Sequence, residues 1–267
     1  MSWASIFESA AFDTALRDTP FAGNLQFFSS IPSTNSYAME AAEHGAPHGS
    51  VFFADEQTAG RGRSSHQWQS PTGCGVYVSV LLRPSISPGD ALWFSLATGL
   101  AAHHSIQQVT TLKTDIRWPN DLMLGKKKFG GILTEMHAEA TRIRHLVIGI
   151  GINVLHPVFP PELSSVATSL LMETGLPWSR QEILITLLQA LHRETSALSD
   201  PSTANAARAN IIDRIEGIST WIRGRRVRVE EGEGYTGVTD GLDTRGFLRV
   251  RTEDGTRTVL SGGVRDL

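Results

Sequence analysis

The apolar positions of this chain repeat with a helical period in some segments and in short strand-like runs in others. Over residues 89–107, Leu92, Phe94, Leu96, Leu100 and Ile106 recur at helical spacing. Residues 179–198 predict a second helix, with Ser179 as N-cap and Glu182 three positions on, the spacing of a capping box. A third helix is expected over about 202–216, and a weaker one over 6–17. An alanine-rich helix over 36–44 follows Ser33-Thr34-Asn35, whose side chains suit an N-cap, and stops at Gly45. Short apolar and β-branched runs predict strands at 25–28, 51–54, 76–82, 116–118, 122–124, 129–136 and 142–150. Pro119-Asn120 breaks one pair of these, and Gly125-Lys126 suits a hairpin turn. After Trp221 the pattern changes. Runs at 227–231, 235–239, 247–251 and 257–260, punctuated by glycines, predict a small closed barrel. The chain therefore divides into residues 1–220 and 221–267, with the boundary near 217–223. Strands often follow strands in the larger part, so the expected class is α+β with a mixed sheet rather than strict βαβ winding.

Composition narrows the setting. The 267 residues are 40% hydrophobic, enough for one large core or a large domain with a small one attached. A formal net charge of −3 gives no global basic field to attract nucleic acid or an anionic membrane, so neither is expected as a partner. The single cysteine, Cys74, excludes an intrachain disulfide and fits a reducing cytosol. Between Gly73 and Gly75 it reads better as a small residue entering a buried strand than as a nucleophile. No apolar run approaches the ~20 residues that span a bilayer. The start, Met1-Ser2-Trp3-Ala4, lacks the basic and apolar regions of a signal peptide, so a cytoplasmic location is expected.

Two stretches carry the candidate chemistry: Gly60-Arg61-Gly62-Arg63 closing at Trp68, and Trp118-Pro119-Asn120-Asp121 closing at Lys128 and Gly130-Gly131. Glycine lets a backbone approach a ligand, and arginine offers a planar fork for carboxylate or phosphate. Lys128 adds a point charge. Together they suggest an enzyme that handles a carboxylate and a phosphate in one pocket. Gln57 adds a two-way hydrogen bonder and Trp68 a flat face. The glycines match neither a Walker loop nor a dinucleotide fingerprint. Ser33-Thr34-Asn35 fits helix capping and a polar-ligand role equally well. Lys126 and Lys127 are expected to face solvent. Asn120 can make an Asx turn and Asn153 can cap a strand end. The nine histidines show no metal-ligand spacing, and no protein metal site is expected. There is no nucleophile elbow.

In order along the chain, these residues resemble the biotin protein ligases, over nearly the whole length. Ser33-Thr34-Asn35, Gln57 to Arg63 with Trp68, Trp118 to Asp121 through Lys128 and Gly131-Ile132-Leu133, and Gly149-Ile150-Gly151-Ile152-Asn153 are similar to that family's motifs. So are Thr168-Ser169-Leu170 and the closing Ser261-Gly262-Gly263-Val264. The resemblance implies a biotin/lipoate-ligase catalytic fold with an SH3-like C-terminal barrel. It implies activation of biotin by Mg2+-ATP to biotinoyl-5'-AMP, then transfer to a lysine of a biotin carboxyl carrier protein. Lys128, Arg61 and Arg63 would be catalytic. Ser33, Thr34, Asn35, Gln57, Gly60, Arg61, Gly62, Arg63, Lys128, Gly131 and Gly149 would hold biotin. Trp68, Asn120, Lys128, Asn153 and His66 would hold ATP and the adenylate. Repressor-type relatives carry a winged helix ahead of this domain. Ser33 arrives too early here to leave room for one, so an enzyme without DNA-binding function is expected. A homodimer stays open, since exposed strand edges pair between subunits.

Alternatives are a lipoate or octanoate ligase, a biotin- or nucleotide-holding module without turnover, and a nucleic-acid binder using the basic run Arg223-Gly224-Arg225-Arg226. The arginine pair with Lys128 argues against the first two, and the net charge against the third. Two positions depart from the family pattern: Ser65-His66 replaces a usual Gly-Arg, and Gly263 replaces a usual acidic residue. His66 is a titratable substitute for a permanent cation. Pyrophosphate-side contacts are therefore expected to weaken above neutral pH unless Ser64 and Ser65 compensate. A His66→Arg variant with an unchanged KM for ATP and an unchanged pH profile would overturn this expectation.

Overall fold

The computed structural model describes residues 9–267. Of the helix expected over 6–17, residues 6–8 lie outside that range; the rest forms α1, Ser9–Leu16. Seven strands build the larger sheet: β1 Leu25–Phe28, β2 Val51–Ala54, β3 Gly75–Leu82, β4 Asp115–Arg117, β5 Asp121–Leu124, β6 Lys127–Ala138 and β7 Ile143–Asn153. Their spatial order is β1-β2-β3-β7-β6-β5-β4. Only β1 and β2 pair in parallel; every other pairing is antiparallel. The sheet is mixed, and the class is α+β as expected.

Both faces of this sheet are covered. On β2, Val51 and Phe53 enter the main core while Phe52 enters a smaller cluster under α2, Thr34–Glu43. This alternation is why β2 and β3 are buried throughout. The main core lies under α3, Ala91–Thr110, and α5, Arg180–Ser199, with Leu96, Leu100, Leu184, Leu187 and Leu188 among its members. Helix α6, Ala204–Ile218, adds Ile211 and Ile215. The Ser179 hydroxyl accepts from the Glu182 amide at 3.2 Å and starts α5.

A short helix and a last strand were not anticipated, and one expected strand runs further. Helix α4, Leu170–Thr174, is too short to show a period. Strand β7 continues through Gly149-Ile150-Gly151 to Asn153. A last strand, β12, spans Val264–Asp266. It completes a second sheet with β8 Arg223–Val229, β9 Tyr235–Leu242, β10 Leu248–Thr252 and β11 Gly255–Val259, in the order β11-β10-β9-β8-β12. A flat five-stranded sheet would hold its outer strands about 19 Å apart. Four linking residues between β11 and β12 reach roughly 17 Å at full stretch. The sheet therefore curls around Val227, Val229, Leu248, Val250, Val259 and Val264, all buried.

The two sheets interlock. Trp118 Nε1 donates to the Gly246 carbonyl at 3.0 Å, and Ser219 Oγ to that of Ile116 at 2.6 Å. Gly246 has φ +84°, and a Cβ there would meet Leu96 Cδ1 at 2.9 Å. The basic run at 223–226 is largely spent within the protein. Arg223 pairs with Glu216 at 2.8 Å. Arg225 pairs with Asp266 at 2.6 Å and lies 3.7 Å over the Trp221 ring. Among the described residues, no helix is long and apolar enough to cross a membrane.

One buried base sets an acid limit. His156 lies under β3 with Nε2 3.2 Å from Tyr77 Oη, its ring stacked 5.1 Å from Phe159. Burial pushes its pKa down to about 4 from 6.5; the Cys74 backbone opposes the shift and Arg180 adds to it. The unfolded chain thus takes up this proton first. The stability contribution is complete above about pH 6.5 and is lost as the pH falls towards 4. The loss between pH 7 and pH 5 amounts to about 2 kcal/mol. His156→Gln should flatten this part of the stability profile, measured as urea midpoints at the two pH values; a slope equal to that of the parent would assign the acid limit elsewhere.

Candidate active site

The site stands on a sheet face where glycines leave gaps between the side chains. In the central sheet Ser79, Gly149 and Leu133 lie in register across β3, β7 and β6, and Tyr77, Gly151 and Gly131 form the next matching row. A Cβ on Gly149 would collide with the Asn35 amide, and one on Gly151 with the Trp68 indole. Asn35 thus lies on the first row. It accepts from Ser79 Oγ at 2.6 Å and donates to Leu133 O at 3.3 Å and Glu135 Oε2 at 2.8 Å. Trp68 lies on the second row, with a Gly131 Cβ position 3.3 Å from its ring.

The Ser33-Thr34-Asn35 segment caps a helix and also faces the pocket. Only Ser33 caps α2, accepting from the Ser36 amide at 3.4 Å. Thr34 turns away to Gln57, whose Oε1 accepts from the Thr34 amide at 2.9 Å and its hydroxyl at 3.0 Å. Gln57 Nε2 donates to Ser70 Oγ at 2.9 Å. Ser33, Thr34, Asn35 and Ser70 are buried and Gln57 is partly so, and their mutual hydrogen bonds fix their orientation before any ligand arrives.

The Gly-Arg loop is pinned at both arginines. Arg61 makes a two-pronged pair with Glu135, at 2.8 and 3.0 Å. Arg63 Nη1 donates to Asn120 Oδ1 at 3.1 Å. Burial lowers the Arg63 pKa, and Asp121 opposes that shift. Gly60 has no room for a Cβ, which would run into the Trp68 carbonyl. His66 is exposed, with Nδ1 2.8 Å from the Arg63 carbonyl oxygen.

Lys128 joins the two halves. Its Nζ is 2.5 Å from Asp121 Oδ1 and 5.4 Å from the centre of the Trp68 ring. Asp121 Oδ2 accepts from Arg117 at 2.6 Å. Burial pushes the Asp121 carboxyl up, but the charges and hydrogen bonds of Lys128 and Arg117 outweigh it and hold the pKa below the usual range. Residues 166–168 clamp the Lys128 backbone: Lys128 N donates to Val166 O at 2.8 Å and Thr168 N to Lys128 O at 2.9 Å. Asn153 Nδ2 donates to the Thr168 carbonyl at 3.1 Å.

Around these groups lie two adjoining spaces. The first, about 460 Å³, is lined by Ser33, Thr34, Asn35, Gln57, Arg61, Gly62, Arg63, Lys128, Gly131 and Gly149. Gly60 stands behind this lining, on the outer side of the loop. The second, about 1530 Å³ and open to solvent, contains Trp68, His66, Asn120, Lys128 and Asn153 on its walls. Gly62, Arg63, Trp68, Asn120 and Lys128 belong to both. The candidate biotin and nucleotide residues thus line one or both of these spaces, except Gly60. Its second space also carries Arg117, Lys126 and Arg265 against the carboxylates Asp121 and Glu230, a positive balance suited to a polyphosphate. Lys126, expected to face solvent, is exposed but stands on this rim, while Lys127 Nζ donates to Ser164 O at 3.0 Å.

Sequence reasoning missed Glu135 and Ser79 as parts of the site, and gave no role to Asp121 and Gly151, although both lie inside its motifs. Glu135 and Gly151 were accessible by counting alternate positions from Gly131 and Gly149. Ser79, Glu230 and Arg265 carry no local signal, while Gly262 to Val264 of the same wall fall in the closing motif. At Gly263 a side chain would collide with the Glu230 carboxylate.

The comparisons agree with this geometry. The Biotin/lipoate A/B protein ligase family matches residues 27–153, and the Biotin protein ligase C terminal domain matches residues 223–264. The chain is 36% identical over 238 residues to the bifunctional ligase/repressor BirA of Bacillus spizizenii, covering 88% of its own length and 71% of the relative's. The chain belongs to the biotin protein ligase family. A second relative, the biotin–[acetyl-CoA-carboxylase] ligase of Mycobacterium tuberculosis, is 32% identical over 87% of this chain and 85% of its own length. The biotin protein ligase from Aquifex aeolicus in complex with biotin and ATP superposes with a TM-score of 0.77 at 30% identity, over 91% of this chain and 98% of that one.

In this biotin protein ligase Asp121→Asn should leave Lys128 and Arg117 facing each other without their shared counter-charge. Removing one partner of a buried ion pair costs roughly 3 kcal/mol or more. The depressed carboxyl contributes stability above its unfolded pKa, lost as the pH falls through the lower folded value. The variant should therefore lose stability at pH 7 and show a shallower acid limb in urea unfolding; an unchanged midpoint at pH 7 would show that the triad is stabilising nothing.

Proposed function

We propose that this protein activates biotin as biotinoyl-5'-AMP and transfers it to a lysine of a biotin carboxyl carrier protein. The observation that carries the reading is the position of Lys128, on the wall shared by a small polar pocket and a larger basic cleft. A carboxylate in the first space and an α-phosphate in the second would meet at its ammonium. Their mutual repulsion is the main electrostatic obstacle to reaction, and a fixed cation between them removes it.

In the first step a carboxylate oxygen of biotin attacks the α-phosphorus, the bond to the β-phosphate oxygen breaks, and pyrophosphate leaves. In the second the carrier lysine attacks the acyl carbon, loses a proton, and AMP departs. Ser33, Thr34, Asn35 and Gln57 would hold the ureido end of biotin. Gly131 and Gly149 would let the ligand lie against the sheet. Gly60 and Gly62 would let the loop close, with Arg61 and Arg63 keeping it over the anhydride and water out. Trp68, Asn120 and Asn153 would frame adenine, and His66 would approach the pyrophosphate side. Magnesium arrives with ATP as its phosphate complex. Asp121 already serves Lys128 and Arg117, so the metal would keep phosphate oxygens and water as its main ligands. Residues 1–220 would form the catalytic domain, and 221–267 the barrel that walls the nucleotide side.

The test is mass spectrometry of a reaction with biotin, Mg2+-ATP and a biotin carboxyl carrier domain. Biotin should appear on the carrier lysine, with none from octanoate. Lys128→Ala should lower the adenylation rate by about 10²–10³-fold, the usual cost of one charge-stabilising donor. Transfer of octanoate instead of biotin would move the chain to lipoyl chemistry. Biotin binding without acylation would leave a holding module.

A further inference from the structure

Outside the active site, the alternation of β6 and β7 brings together two histidines that sequence spacing kept apart. His137 and His145 are directly opposite in the β6–β7 register, on the face that α2 covers. Glu43, in the last turn of α2, points at both. Its Oε1 is 2.6 Å from His137 Nδ1 and 3.5 Å from His145 Nε2. The ligand atoms of all three residues lie within 4.8 Å of one another. The His145 side chain is 3% exposed, yet its Nε2 has no hydrogen-bond partner. An unmade hydrogen bond of that kind costs about 1–3 kcal/mol. Glu43 and His137 are half exposed, so the buried nitrogen is approached from solvent between them.

We propose that Glu43, His137 and His145 bind a divalent transition ion of the zinc class. Two imidazoles and one carboxylate form a donor set that suits zinc, cobalt or nickel rather than magnesium or calcium. A tetrahedral ion with bonds of about 2.0–2.1 Å separates its ligand atoms by roughly 3.4 Å. The carboxylate of the exposed Glu43 reaches that spacing by swinging off His137. Arg83 and Arg144 lie close enough to oppose a dication, which limits its affinity. The ion would staple the end of α2 to β6 and β7. At the other end of α2 are Ser33, Thr34 and Asn35, and two residues before His137 on the same strand face is Glu135, the partner of Arg61. The site is distinct from the catalytic cleft and does not depend on the reaction assigned to it.

The test uses the full chain without a histidine tag, stripped with chelator and titrated with Co2+ and Zn2+. One ion per chain is expected by elemental mass spectrometry, with visible cobalt absorption and a rise in melting temperature. His137→Ala and Glu43→Gln, both at exposed positions, should each weaken binding at least tenfold and remove the thermal shift. His145→Gln should do the same; His44→Ala, a neighbouring exposed histidine, should not. Absence of binding to the parent, or equal binding and equal thermal shift in the His137 and Glu43 variants, would overturn the proposal.

Discussion

The register between β6 and β7 is the constraint from which the rest follows. It runs from Gly130 opposite Ile152 to Ala138 opposite Ile143. On one face it aligns Gly131, Leu133, Glu135 and His137 with Gly151, Gly149, Val147 and His145. On the other it supplies Gly130, Ile132, Ile148, Ile150 and Ile152, with Ile132 and the three β7 isoleucines packed in the main core. A slip of one residue would exchange the faces. It would drive Glu135 into the main core and lift isoleucines into the pocket. Burying those isoleucines therefore also aims the polar groups of β6 and β7.

Asp121 plays the corresponding part for charge. Both its oxygens are occupied, one by Lys128 and one by Arg117, and the latter guanidinium lies 5.1 Å over Trp221 at the start of the second sheet. A single carboxylate thus fixes the cation shared by the two spaces and links it to the C-terminal unit. Because Lys128 is also clamped through its backbone by residues 166–168, little freedom remains in the position of its ammonium. Electrostatic help given by a group already in place costs no reorganisation when charge develops.

Much of this was legible in the sequence for definite reasons. The long helices over Ala91–Thr110 and Arg180–Ser199 carry enough turns for a period to emerge, and Ser179 marks where one begins. Strand bounds drifted where glycines interrupt alternation: β7 continues through Gly149 and Gly151, and β8 begins at Arg223 because Gly224, at φ +73°, sits in a register shift. Residues of the Gly-Arg loop stood out because no packed element favours that composition. Ser79 and the Glu43–His137–His145 cluster stayed hidden for another reason. Each acquires its partners only through strand pairing or helix docking between segments distant in sequence.

The glycine floor also bounds what this fold can become. Glycine is already the smallest residue, so no substitution at Gly131, Gly149 or Gly151 can deepen the pocket; each can only fill it. Asn35 and Trp68, the side chains lying on that floor, are the ones whose size remains adjustable. Variation towards bulkier acids is therefore confined to the roof and the loop, while the strands beneath act as a fixed stop on ligand depth.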